Sequence, residues 1–168
     1  SPAPNRKDKG PLTRSRPNRQ HRMDPEMPEY AAVIRITNLR LRTFIGFNPE
    51  ERAKQQDIVV NVEIHHTAKA AALQDDVTQA LNYKVISKAI IRHVEDGRFL
   101  LLEKLVNDLL QICTTDPAVT RARVTVDKPH ALRFADSVSL TLEFDSNDNQ
   151  PRRENISEQH PRTLSQAS

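Results

Sequence analysis

The chain has 168 residues, with 25 Lys and Arg against 22 Asp and Glu, and only three glycines, one cysteine and no tryptophan. Glycines at positions 10, 46 and 97 alone exclude a phosphate loop or a dinucleotide fingerprint, and one cysteine excludes thiolate zinc sites and an internal disulfide. No run approaches the roughly 20 apolar residues of a membrane span, so a cytoplasmic protein is expected.

Residues 1–28 hold six of the eleven prolines and seven Lys and Arg against three Asp and Glu. With almost no large apolar residues they cannot offset the entropy of ordering, so they read as a disordered basic leader. A solvated extension is favoured there over a nucleic-acid contact, and the leader lacks the apolar core of a signal peptide. Residues 145–168 read as a disordered polar tail. One domain, residues 29–144, remains, close to the commonest domain size of about 100 to 150.

That segment opens with a strand, AAVIRITNLRLRTFIG, in which Val33, Arg35 and Thr37 alternate with Ile34, Ile36 and Leu39. FNPEERAKQQ reads as a connecting loop. DIVVNVEIHH is a second strand, placing Ile58, Val60, Val62 and Ile64 on one face and Val59, Asn61, Glu63 and His65 on the other. His65 and His66, adjacent on a strand, point to opposite faces and make a poor metal pair; no metal is expected.

The period then lengthens to three and four residues at Leu81, Val85, Ile86, Ala89, Ile90 and Val94, with Asn82 as N-cap and Gly97 as stop. A second helix follows, containing RFLLLEKLVNDLL and ending near TTDP. Cys113 falls on its apolar face, as a buried, inert thiol. TRARVTVDK and DSVSLTLEF close the domain as two more strands. The order ββααββ predicts an α+β fold with both helices on one face of a four-stranded antiparallel sheet. Its long edge strands are unpaired in a monomer, so a homo-oligomer is expected.

Three residues present a choice. With Leu102 at zero and about 100° per residue, Val106 falls near 40°, Leu110 near 80° and Glu103 near 100°. Glu103 therefore borders the apolar face, either as a solvated carboxylate or as one awaiting paired N–H donors. Lys128 ends a strand at Pro129, as an exposed lysine or one projecting into a site. Tyr83 opens a helix, as a core-edge ring or a stacking platform.

Taken together, IRITNLRLRTFIG, QDIVVNV, ALNYKVISKAIIRHVE, RFLLLEKL and VDKPHALRFADSVSLTL resemble the dihydroneopterin aldolase family, most closely its dihydroneopterin triphosphate 2′-epimerase branch. The resemblance implies the tunnelling fold, in which four ββααββ sheets close a barrel and two rings stack as an octamer. It also implies a pterin substrate and no metal or organic cofactor. By position, Leu102 and Glu103 match the pterin anchor, and Tyr83 matches a tyrosine contributed by an adjacent subunit and implicated in proton transfer. Glu51 matches a substrate-contacting loop glutamate, and Lys128 the lysine of acid/base chemistry.

The implied reaction is inversion at C2′ of 7,8-dihydroneopterin triphosphate by retro-aldol cleavage and re-addition. The alternative is an aldolase that releases glycolaldehyde, and a lesser one is a non-catalytic pterin- or nucleic-acid-binding protein. The run DKPHALRFADSVS and the stretch LRLRTFIG resemble the epimerase branch. His130, Arg133 and Arg42 offer charge to a triphosphate, unless Arg133 instead pairs with Asp136 or Glu143.

Overall fold

The computed structural model describes residues 2–4 and 29–148, so most of the expected leader and most of the expected tail lie outside the described residues. The elements are β1 (Tyr30–Ile45), α1 (Pro49–Ala53), β2 (Gln56–Ala68), α2 (Ala70–Leu73), α3 (Tyr83–Glu95), β3 (Arg98–Phe99), α4 (Leu102–Cys113), β4 (Val119–Pro129) and β5 (Ser137–Asp145). They form one sheet of order β3-β1-β2-β4-β5.

The expected sheet needs one correction. The four long strands are antiparallel, but β3 adds a fifth, pairing parallel to β1 through Phe44–Arg98 and Ile45–Phe99. The sheet is therefore mixed. A two-residue strand is too short to leave a periodic signal. The expected loop after β1 is corrected as well, because residues Pro49–Ala53 are helical, with Asn48 accepting from the Glu51 N–H at 2.8 Å and Pro49 opening the turn.

Alternation dictates the layers. Ile58, Val60, Val62 and Ile64 of β2 are buried with Ala122, Val124 and Val126 of β4, and the same core takes Ile86, Ile90 and Val94 of α3 and Leu105, Val106, Leu109 and Cys113 of α4. In β1, Ile36 lies three residues from Leu39 and five from Leu41, and Ile34 five and seven, odd spacings that a plain strand would split between faces. A β-bulge between Ile36 and Leu39 resolves them. Asn38 there has φ of +54°, and its N–H donates to Asn61 Oδ1 at 2.8 Å; asparagine tolerates this left-handed geometry better than most residues.

α3 is capped by Asn82, whose Oδ1 accepts from the Val85 N–H at 3.2 Å. Its last turn is tied to the sheet by Thr43, which is fully buried and donates its hydroxyl to Val94 O at 2.6 Å, satisfying a carbonyl that a helix end leaves open. α3 and α4 are joined by Asp108, which accepts from Lys104 Nζ at 2.8 Å and lies 2.8 Å from His93 Nε2. Burial pushes the Cys113 thiol up to about 12, so it stays protonated and inert at neutral pH.

Candidate functional site

The period-two face that buries Val124 and Val126 continues to Lys128, so its side chain turns toward the helices at the end of the sheet. Only 13% of that side chain is exposed, and its ammonium is ion-paired with Glu51 Oε2. A charge so far removed from water needs such a partner. Glu51 occupies the third helical position of α1, after Asn48 and Pro49. That is the place where a capping-box glutamate would turn back to its own cap, but here the carboxylate reaches Lys128 instead.

Gln56, the first residue of β2, completes the arrangement. Its Nε2 donates to Ile45 O at 2.6 Å and to Glu51 Oε2 at 3.3 Å. Gly46 makes room for it. With φ of +126° it holds a conformation that suits only glycine, and a Cβ there would collide with the Glu51 carboxylate.

The same glycine links the ion pair to α4, because its N–H donates to Phe99 O at 2.9 Å. From Phe99 the chain passes through the exposed Leu100 and Leu101 into the half-buried Leu102 and exposed Glu103 of the first turn of α4. Leu101 gives that helix no side-chain cap, which leaves first-turn N–H groups open to an outside acceptor. Leu105, Val106, Leu109 and Cys113 form the buried face, and Glu103 stands about 60° beyond Val106 at about 100° per residue. Its carboxylate has no side-chain hydrogen bond among the described residues.

One chain thus brings Glu51, Gln56 and Lys128 into contact and ties them, through Gly46 and Phe99, to the segment carrying Leu102 and Glu103. Tyr83 is not gathered with them. It opens α3 half-exposed, and its hydroxyl makes no hydrogen bond among the described residues. His130 lies in the turn after β4 with φ of +61° and donates its N–H to Asp136 O at 3.4 Å. Arg133 sits 5.7 Å above the Phe134 ring, while Glu143 pairs with Arg123 at 3.4 Å. Among the described residues no group of three His, Cys, Asp or Glu side chains could hold a metal ion.

Gln56 and Gly46 escape a reading of the sequence as chemistry. Both lie at the correct spacing from Glu51, but a glutamine at a strand start carries no signal of its own. The pattern Asn48-Pro49-x-Glu51 is a legible helix start, and it could have located α1.

Lys128 holds the Glu51 carboxyl below its ordinary value of 4.5, against the opposing effect of burial, with Gln56 adding to the lowering. A depressed folded-state value means that the pair's stabilisation is complete above the ordinary value and is lost as pH falls through the folded one. Melting temperature should therefore drop on acidification below about pH 4.5, and the drop should be smaller in Glu51→Gln. An identical acid profile in that variant would show that the pair adds nothing to stability. Asp108 contributes in the same window: burial raises its carboxyl, but Lys104 and His93 together outweigh this and leave it lowered.

Comparison with known proteins is consistent with this geometry. The family described as FolB, dihydroneopterin aldolase, matches residues 34–143. The dihydroneopterin triphosphate 2′-epimerase of Escherichia coli K12 is 55% identical over 118 residues, which are 70% of this chain and 98% of that protein. The Pseudomonas aeruginosa protein of the same name is 51% identical over 121 residues, 72% of this chain and 95% of its own length. A crystal structure of E. coli dihydroneopterin aldolase in complex with neopterin superposes with a TM-score of 0.63 at 27% identity, covering 67% of this chain and 98% of that one.

Proposed function

We infer function from one premise: the chain belongs to the FolB dihydroneopterin aldolase family. Within it, the chain is an epimerase that inverts C2′ of 7,8-dihydroneopterin triphosphate and yields dihydromonapterin triphosphate. The observation that carries this reading is 55% identity running through 98% of an epimerase, against 27% with the aldolase of known structure.

The chemistry follows from the substrate and the paired side chains. Removal of the 2′-hydroxyl proton lets the C1′–C2′ bond break. Its electron pair enters the dihydropterin ring, which is protonated in turn, and C2′ leaves as an aldehyde. If the aldehyde is held, turned and attacked again by C1′, C2′ returns inverted. Such proton transfers need positioned donors and acceptors. In the proposed assignment Lys128 exchanges the 2′-hydroxyl proton, and Glu51, with Gln56, fixes the lysine. Glu103 accepts paired N–H bonds from the pterin, and the open first-turn N–H groups beside Leu102 add to them. Tyr83, half-exposed and without a hydrogen-bond partner among the described residues, is supplied by an adjacent copy and serves proton transfer. His130 and Arg133 are the sequence's candidates for the substrate's charged end.

The assembly completing the site is proposed to be a homo-octamer of two tetrameric rings. Among the described residues of one chain the edge of β5 and most of the edge of β1 are unpaired, and Phe134 and Phe47 are 96% and 71% exposed; both features favour a second copy. No helix among the described residues is long and apolar enough to cross a membrane, and we propose the cytoplasm as the site of action.

Chromatography of products from purified protein tests the activity. The triphosphate should give the 2′-epimer with little 6-hydroxymethyl-dihydropterin. Rapid cleavage of unphosphorylated dihydroneopterin with no epimer from the triphosphate would make the chain an aldolase.

A further inference from the structure

We propose that Arg40, Arg42 and His130 form the subsite for the substrate's triphosphate, on the sheet face opposite Lys128. The subsite rests on the epimerase reading and deepens it.

The residues at the ion pair and the pterin anchor cannot hold a polyanion. Glu51 and Lys128 cancel and Glu103 adds a negative charge, so the charge that selects a triphosphate must come from beyond them. Arg40 and Arg42 supply it because of the bulge at Asn38. With Leu41 and Thr43 buried toward the helices, the two arginines share the opposite face. There they line a cavity of about 420 Å³ with Asp57, Val59, Pro129 and His130.

Arg42 is already positioned, donating to Gln55 O at 3.2 Å and lying 3.6 Å from Asp57. A guanidinium has five donors in a planar fork, so these contacts leave several for phosphate oxygens. Arg40 has no ion-pair partner among the described residues. His130 holds φ of +61°, a conformation uncommon for a residue with a Cβ and one that recurs where function over-determines the backbone. Arg133, by contrast, lies over Phe134 and is not part of the cavity lining.

The cavity and the ion pair are built from neighbouring residues at the same end of the sheet. Gln55 and Gln56 are consecutive, with Cα atoms about 3.8 Å apart; the carbonyl of the first receives Arg42, while the side chain of the second reaches Glu51. Lys128 and His130 are likewise two residues apart. A side chain cleaved at Lys128 can therefore carry its C3′ phosphates past the strand ends into the cavity.

The test compares two substrates in the full chain. For wild type, Arg40→Ala, Arg40→Lys and Arg42→Ala, kcat/KM is measured for epimerisation of the triphosphate and for cleavage of unphosphorylated dihydroneopterin. Arg40→Ala should lower the ratio of the two by about 10- to 100-fold, the scale of a lost charge-assisted bond, mainly through KM. Arg40→Lys should recover part of the loss. Inorganic triphosphate should compete with the substrate in wild type and do so more weakly, by a similar factor, in Arg40→Ala. An unchanged ratio in folded Arg40→Ala overturns the subsite even if Arg42→Ala, which loses the Gln55 contact, fails to fold. Wild-type protein that epimerises no triphosphate would instead overturn the epimerase reading, and the subsite with it.

Discussion

Replacing Lys128 with alanine should lower kcat by about 10²- to 10⁴-fold, the range of a lost acid/base group, while pterin affinity changes little. The Lys128 side chain is 13% exposed, and its ion pair is with Glu51 rather than with Glu103. Its removal leaves the Glu51 carboxylate with Gln56 as a partner. Breaking a fully buried pair costs about 3–5 kcal/mol, but this carboxylate is about one-fifth exposed, so solvent screens part of that loss and the variant should fold. Single-turnover kinetics and a fluorescence titration with neopterin separate the two effects. Equal losses of rate and affinity would assign Lys128 to binding rather than chemistry.

The second large effect is expected at Glu103. Glu103→Gln keeps the shape of the side chain but turns one acceptor oxygen into a donor, so it faces a pterin N–H with another N–H. An unsatisfied polar pair in a closed site costs about 1–3 kcal/mol, more where a charge is lost. Pterin affinity should therefore fall by about 2 kcal/mol, near 30-fold. Because Glu103 is exposed and makes no side-chain hydrogen bond among the described residues, the melting temperature should hardly move. A melting loss with unchanged affinity would return Glu103 to the surface of a helix.

Much of the fold was legible because long periods repeat. The even positions of β2, the alternation of β4 and β5, and Asn82 before an apolar helical stripe each recur several times. The grouping of Ile34 and Ile36 with Leu39 already required an irregularity near Asn38, although no bulge was foreseen. β3 could not be read, because two residues have no period and its pairing with Phe44 and Ile45 is decided by tertiary packing. α1 was missed for a different reason: five residues with no buried face leave only their cap as a signal.

The site divides in the same way. Glu51, Lys128, Leu102 and Glu103 are candidates through resemblance, since helical angle alone leaves Glu103 at the rim of an apolar face. What the sequence withheld is how they are joined. The Lys128 to Glu51 pair spans 77 residues, and its link to α4 depends on a glycine N–H meeting the carbonyl of Phe99. Arg40 and Arg42 share a face by strand period alone, but the bulge just before them decides that this face is the one opposite the helices.

The central claim is that the C1′–C2′ bond opens and closes again at the Glu51 and Lys128 pair. Epimerisation in deuterium oxide tests it most directly, with C2′ of the product read by NMR and mass spectrometry. In a retro-aldol and re-addition, C2′ keeps its own hydrogen as the aldehyde hydrogen, so the inverted product should carry protium there. Deuterium at C2′ would mean that a carbon-bound proton is removed and returned from the other face, and would contradict the account.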